Sequence, residues 1–111
     1  MAPAPGAVMT RRRLPNRRSA ETFELEVSGL RYTCTVGRFG GGELAEIFLS
    51  NGKAGSDSDT AARDSAVVAS IALQYGVPLE VIRHALMRNR DGSACGPLGI
   101  ALDRITAEDE R

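Results

Sequence analysis

The sequence predicts an α+β domain, a three-stranded antiparallel meander followed by three helices packed on one face of the sheet (β-β-β-α-α-α). Three observations carry this. Apolar and polar residues alternate with a period of two over most of residues 22–50. Glycine-bearing breaks at Ser28-Gly29 and at positions 40–42 divide that stretch. Beyond Thr60 the apolar spacing becomes helical, with capping residues before it and a Gly-Val-Pro break after it.

Each element follows from its residues. In "TFELEVSG", Phe23, Leu25 and Val27 face one way and Thr22, Glu24 and Glu26 the other, which is a half-buried strand. Ser28-Gly29 turns the chain into "LRYTCTVGRF", where Leu30, Tyr32, Cys34 and Val36 share a face. The triple glycine at 40–42 supplies a second hairpin, and "ELAEIFLS" is the third strand, with Ala45, Ile47 and Leu49 opposite Leu44, Glu46 and Phe48.

Asp57, Ser58 and Asp59 are the candidate caps for a helix that begins near Thr60. "TAARDSAVVASIALQY" is almost wholly apolar after its first two turns, which marks a buried central helix. Gly76 suits the left-handed position at its end, and Pro78 suits the first position of a second helix. That helix, "PLEVIRHALM", turns Leu79, Ile82 and Leu86 inward and runs Glu80, His84 and Arg88 down an outer stripe. Pro97 opens a last helix, with Leu98, Ala101, Leu102 and Ile105 as its apolar positions, and the charged "TAEDER" tail is expected to fray.

With 111 residues the chain has room for one domain, read as a flexible basic arm over 1–18 and a single folded unit over 19–111. Aromatic residues make up 5% and Trp is absent, so the core must be aliphatic. A domain of this size buries roughly two thirds of its unfolded surface, so homodimerisation is an expected extra source of stability. The zero formal net charge hides an asymmetry: five arginines and no acid in residues 1–18, against nine basic and fourteen acidic residues in the rest. Cys34 and Cys95 form no CxxC pair and suit a reduced, cytoplasmic setting. The N-terminus lacks the pattern of a secretory signal, and no apolar run is long enough to span a bilayer. No membrane partner is expected.

The arginine run "RRRLPNRR" is the clearest chemical feature. Arg11, Arg12, Arg13, Arg17 and Arg18, joined by Lys53, are the candidate phosphate or partner contacts. The bland reading is a solubilising tail or a segment docked on an acidic surface, since no aromatic is interleaved for base stacking. "NGKAGS" is not a phosphate loop of the GxxxxGK[ST] type, because Ala54 follows Lys53. The acidic and thiol residues lack metal-ligand spacing, so no metal site is expected. His84 reads as an exposed helix residue with no nucleophile beside it. Glu46 shares a strand face with Leu44 and Phe48 and is the structural ion-pair candidate, with Arg31 or Arg63 as partner.

Taken in order, "RRRLPNRR", "GELAEIFL", "LQYGVPLEVIRHAL" and "GSACGPLG" resemble the small C-terminal module of adenosylcobalamin-dependent (class II) ribonucleotide reductases, the TSCPD domain, here as a free-standing small protein. The resemblance covers roughly residues 11–105. Whole enzymes of that family reduce ribonucleotides with a cobalamin-generated radical and redox cysteines. The reductase barrel, its radical-bearing loop, the cobalamin site and the recharging cysteine pair are missing here, and Cys95 stands alone. The string Thr-Ser-Cys-Pro-Asp does not occur. No catalytic residue is therefore carried over, no cofactor is expected on this chain, and a family label of ribonucleoside-diphosphate reductase would not describe an autonomous activity. The resemblance implies an accessory module tied to deoxyribonucleotide supply that binds a reductase subunit, a nucleotide or nucleic acid. The alternatives are a small nucleic-acid-binding protein using its arginine arm and an oligomerisation or interaction module.

Overall fold

Alternation becomes strand register. The computed structural model describes residues 10–111; positions 1–9, the first half of the expected arm, lie outside the described residues. Strands β1 (Ala20–Val27), β2 (Leu30–Arg38) and β3 (Leu44–Ser50) form one antiparallel sheet in that order. Ser28 (φ 52°) and Gly29 (φ 80°) both take left-handed conformations in the two-residue β1–β2 turn, which matches the twist of the flanking strands. Phe23 pairs with Cys34 and Leu25 with Tyr32, while Cys34 pairs with Leu49 and Val36 with Ile47. One parity thus gathers the apolar side chains. The other carries Thr22, Glu24, Thr33, Thr35, Glu46 and Phe48.

Helices α1 (Asp57–Gln74), α2 (Leu79–Ala85) and α3 (Pro97–Asp109) complete the α+β order. The core joins Tyr32, Cys34, Val36, Ile47 and Leu49 to Ala62, Ala66 and Ala69 of α1 and to Ala101, Leu102 and Ile105 of α3. Helix α1 also lies along the open edge of β3 and seals it with side chains. The Ile47 N–H donates to Ser70 Oγ (2.9 Å), and that hydroxyl faces Ile47 O (3.1 Å) and Ala66 O (2.8 Å) with one proton for the two. Gln74 Nε2 donates to Ala45 O (3.0 Å), and the Asn51 N–H donates to Asp59 Oδ1 (2.9 Å). An edge strand presents unpaired backbone groups, and here short polar side chains on a helix satisfy them. The small Ala62, Ala66 and Ala69 allow the close approach.

Several local expectations are corrected. Helix α1 starts at Asp57, and its cap is Ser56, whose Oγ accepts the Asp59 N–H (3.2 Å), rather than Asp57, Ser58 or Asp59. Asp59 is instead turned onto the β3 edge and Arg63, and Ser58 Oγ accepts from Asn51 Nδ2 (2.8 Å). Pro78 is the cap of α2, not its first residue, because its backbone is extended (ψ 140°). Third, α1 is not buried all round: Val67, Val68 and Ile71 are exposed, because only one strip of the helix meets the sheet. Finally, α3 continues through the expected fray to Asp109, where Arg38 holds the carboxylate by two bonds (3.0 and 3.1 Å).

Gly76 behaves as anticipated. With φ 91° it ends α1, the Gly76 N–H donating to Leu73 O and the Val77 N–H to Ala72 O (both 3.0 Å). Arg88 leaves the outer stripe expected for α2, which ends at Ala85, and binds Asp103 of α3 (2.7 and 2.9 Å). Arg83 binds the same carboxylate (3.0 Å). Arg88 foremost, with Arg83 behind it, pulls Asp103 down to about 2 despite its partial burial.

Candidate functional site

The arginine segment is where sequence and geometry meet. Residues 10–18 form no strand or helix, yet the chain here is tied to the folded unit at both ends. The Arg12 N–H donates to Gln74 O (2.7 Å), and Arg11 Nε donates to the Gln74 side chain (2.5 Å). The Arg12 guanidinium pairs with Glu43 (2.5 Å) and lies 3.8 Å above the Phe39 ring. Arg18 binds Glu46 Oε1 (2.7 Å) and Pro15 O (2.8 Å). Arg13 and Arg17 form no ion pair with any described residue. The run thus divides into three arginines used within the fold and two that are not.

Glu46 finds its partner in Arg18 rather than in Arg31 or Arg63. Arg31 faces Glu24 (3.8 Å), and Arg63 is taken by Asp59 (2.7 Å). Glu46 fits because it lies over the bare backbone of Gly37, its cross-strand partner; a Cβ there would come within 2.8 Å of Glu46 Cγ. This role of Gly37 is absent from the sequence reading. It was detectable only as a glycine inside an otherwise regular strand.

Beside this pair the outer sheet face is open. Asn16, Arg17, Arg18, Thr35, Glu46 and Phe48 line a hollow of about 820 Å³. Phe48 is 51% exposed, and across its ring a second hollow, of about 220 Å³, reaches Arg63 and Val67. The face offers an aromatic surface, the Thr35 hydroxyl (3.0 Å from that of Thr22) and Arg17, which has no ion pair among the described residues. Phe48 was missed as a site residue, although its parity with Glu46 placed it opposite the core positions Ile47 and Leu49.

The other predicted residues lie elsewhere. Lys53 stands in the exposed loop before α1; its backbone N–H is bound by Asn51 Oδ1 (2.9 Å), and its side chain has no ion pair among the described residues. Asp59 is buried in a closed set of partners. The Asn51 N–H, then Arg63 and Ser50, hold its carboxyl below the usual range against the cost of burial. His84 is exposed, 3.7 Å from Glu80. Among the described residues no three His, Cys, Asp or Glu side chains cluster as a metal would need. No described helix is long and apolar enough to cross a membrane.

The two cysteines differ sharply. Burial pushes the Cys34 thiol up to about 12, whereas Cys95 is exposed and donates to Asn89 Oδ1 (3.2 Å). A thiol titration of the native protein is expected to find Cys95 alone, with Cys34 reacting only after unfolding. Two reactive thiols in the native state would contradict the buried placement of Cys34.

The chain spans 6–8% of the length of the curated relatives it matches. One is the vitamin B12-dependent ribonucleotide reductase of Agrobacterium fabrum, 40% identical over 70 residues, which are 63% of this chain and 6% of that enzyme. The enzyme of the same name from Rhodopirellula baltica is 35% identical over 80 residues, 72% of this chain and 8% of the relative. That of Bradyrhizobium diazoefficiens is 34% identical over 70 residues, 63% and 6% of the two chains. No solved structure is significantly similar. The family model for the TSCPD domain matches residues 9–105, and the chain therefore belongs to the TSCPD domain family.

Proposed function

We propose that the chain is an accessory module of a B12-dependent ribonucleotide reductase, serving deoxyribonucleotide supply by binding the reductase rather than by catalysis of its own. The observation that supports this most is one of proportion: the family match takes in residues 9–105 here, while the similar stretch is 6–8% of each relative. The chain corresponds to one small piece of a long enzyme, and a small piece works against the remainder. The contact surface in this reading is the outer sheet face, with Phe48 as an apolar anchor and Arg17 as a polar contact. Aromatic and arginine side chains are the types that dominate binding energies at interfaces. The test is a calorimetric titration of the chain into a B12-dependent reductase from the same organism, prepared without its own stretch similar to this chain. A saturable complex weakened roughly tenfold or more by Phe48→Ala or Arg17→Glu is expected. Absence of a complex at any ratio would contradict it.

A second reading is favoured by one arrangement, the exposed Phe48 ring next to the unpaired Arg17. An aromatic ring flanked by a free guanidinium is how single-stranded nucleic acid is held without sequence preference. Because Arg11, Arg12 and Arg18 are already engaged, two of the five arginines remain as phosphate contacts. The log–log salt slope for single-stranded DNA is then about −1.4, where five free arginines would give about −3.5. Binding that ignores salt, or that survives Phe48→Ala and Arg17→Glu together, would remove this reading.

A further inference from the structure

The outward strip of α1 is apolar where a solvent-facing helix should be polar. Val67, Val68, Ile71 and Tyr75 are exposed by 51, 66, 37 and 37%. Val68, Ile71 and Tyr75 follow one another along one face at spacings of three and four residues, with Val67 beside Val68. At the ends of the strip stand two polar groups without a partner among the described residues, the Asp64 carboxylate and the Tyr75 hydroxyl.

Their order is symmetric. Asp64 and Tyr75, Val67 and Ala72, and Val68 and Ile71 are each centred on the point between Ala69 and Ser70. A second α1 laid antiparallel across a two-fold axis at that point sets Val68 of each copy against Ile71 of the other. The same rotation sets each Tyr75, whose hydroxyl is a donor, level with the other copy's Asp64, whose carboxylate is an acceptor. Asp64 and Tyr75 are about 16.5 Å apart along the helix at 1.5 Å per residue. The two hydrogen bonds therefore close the two ends of one apolar seam. Self-complementarity of this kind, residue i to j and j to i, is what an isologous interface requires.

We infer that the exposed strip of α1 is a homodimer interface, with a second copy of this chain as its occupant, packed antiparallel with Val68 against Ile71 and Tyr75 bonded to Asp64. Apolar contact supplies the attraction, and the Asp64–Tyr75 pairs set direction and register. A parallel arrangement would put Asp64 against Asp64 and lose both hydrogen bonds. This inference does not rest on the reductase reading: its observations are residues of α1 and its cap, of which only Val67 borders a hollow that Phe48 also lines.

The test is sedimentation of the full chain over a concentration series, alongside Val68→Glu, Ile71→Glu and Asp64→Asn. A concentration-dependent dimer is expected for the native chain. Either glutamate variant should sediment as a monomer with an unchanged circular dichroism spectrum, since both positions are exposed. Asp64→Asn, which keeps shape but loses the charge-assisted bond, should dissociate at higher concentration than the native chain. Geometry is read separately in a Cys95→Ser background. Mixed Val68→Cys and Ile71→Cys chains should cross-link to each other far more than either does to itself. A native chain that is monomeric throughout, a dimer that survives both glutamate variants, or cross-links confined to like pairs would each overturn the inference. Loss of reductase binding in glutamate variants of a monomeric chain would assign the strip to that enzyme instead.

Discussion

The two faces of α1 reverse the usual assignment of polar and apolar residues. The buried face holds Asp59, Ser70 and Gln74 among three alanines and Leu73, while the exposed face beyond Asp64 holds Val67, Val68 and Ile71. The difference teaches that burial follows the partner rather than the hydrophobicity of the residue. A helix laid against a strand edge must be thin and must carry hydrogen-bonding groups. One laid against another apolar surface needs bulk.

The largest expected effect comes from making the inner face resemble the outer one. Ser70→Val removes the hydroxyl that accepts the buried Ile47 N–H, and leaving that group unpaired costs about 1–3 kcal/mol. Denaturant unfolding measures it; an unchanged midpoint would mean that α1 does not seal β3. A smaller effect is expected from acid. Asp59 is held below its ordinary value of 3.8, so it stabilises the fold above that pH, and the contribution is lost as pH falls through the lowered value. Asp59→Asn should lower stability at neutral pH and flatten the acid limb of the stability profile. An unchanged acid limb would place the relevant titration at Asp103 instead. The smallest effect belongs to the outer face. In protein too dilute to associate, Val68→Glu should shift unfolding by no more than about 0.5 kcal/mol, as for other surface positions. A loss of several times that size would show the strip to be part of the core.

Local chemistry was legible and contact across the chain was not. Period-two alternation placed all three strands, and Gly76 and Pro97 marked helix ends correctly, because each rests on neighbouring residues alone. The seal on β3 depends on Ser70 lying 23 positions from Ile47 and on Gln74 lying 29 from Ala45. No periodicity encodes that. For the same reason Ala66 and Val67 look alike in a composition-based reading of α1, although one is buried and the other is not. At the site, the arginines stood out by density, but their division did not. Arg11, Arg12 and Arg18 are engaged through Gln74, Glu43 and Glu46, residues 63, 31 and 28 positions away.

The reductase reading is tested most directly by a competition experiment. A B12-dependent reductase is prepared without the stretch similar to this chain, and labelled chain is titrated into it and into the intact enzyme. The account predicts a saturable one-to-one complex with the shortened enzyme and weaker binding to the intact one, whose own module occupies the position. Equal binding to both would put the contact elsewhere on the reductase, and binding to neither would contradict the account.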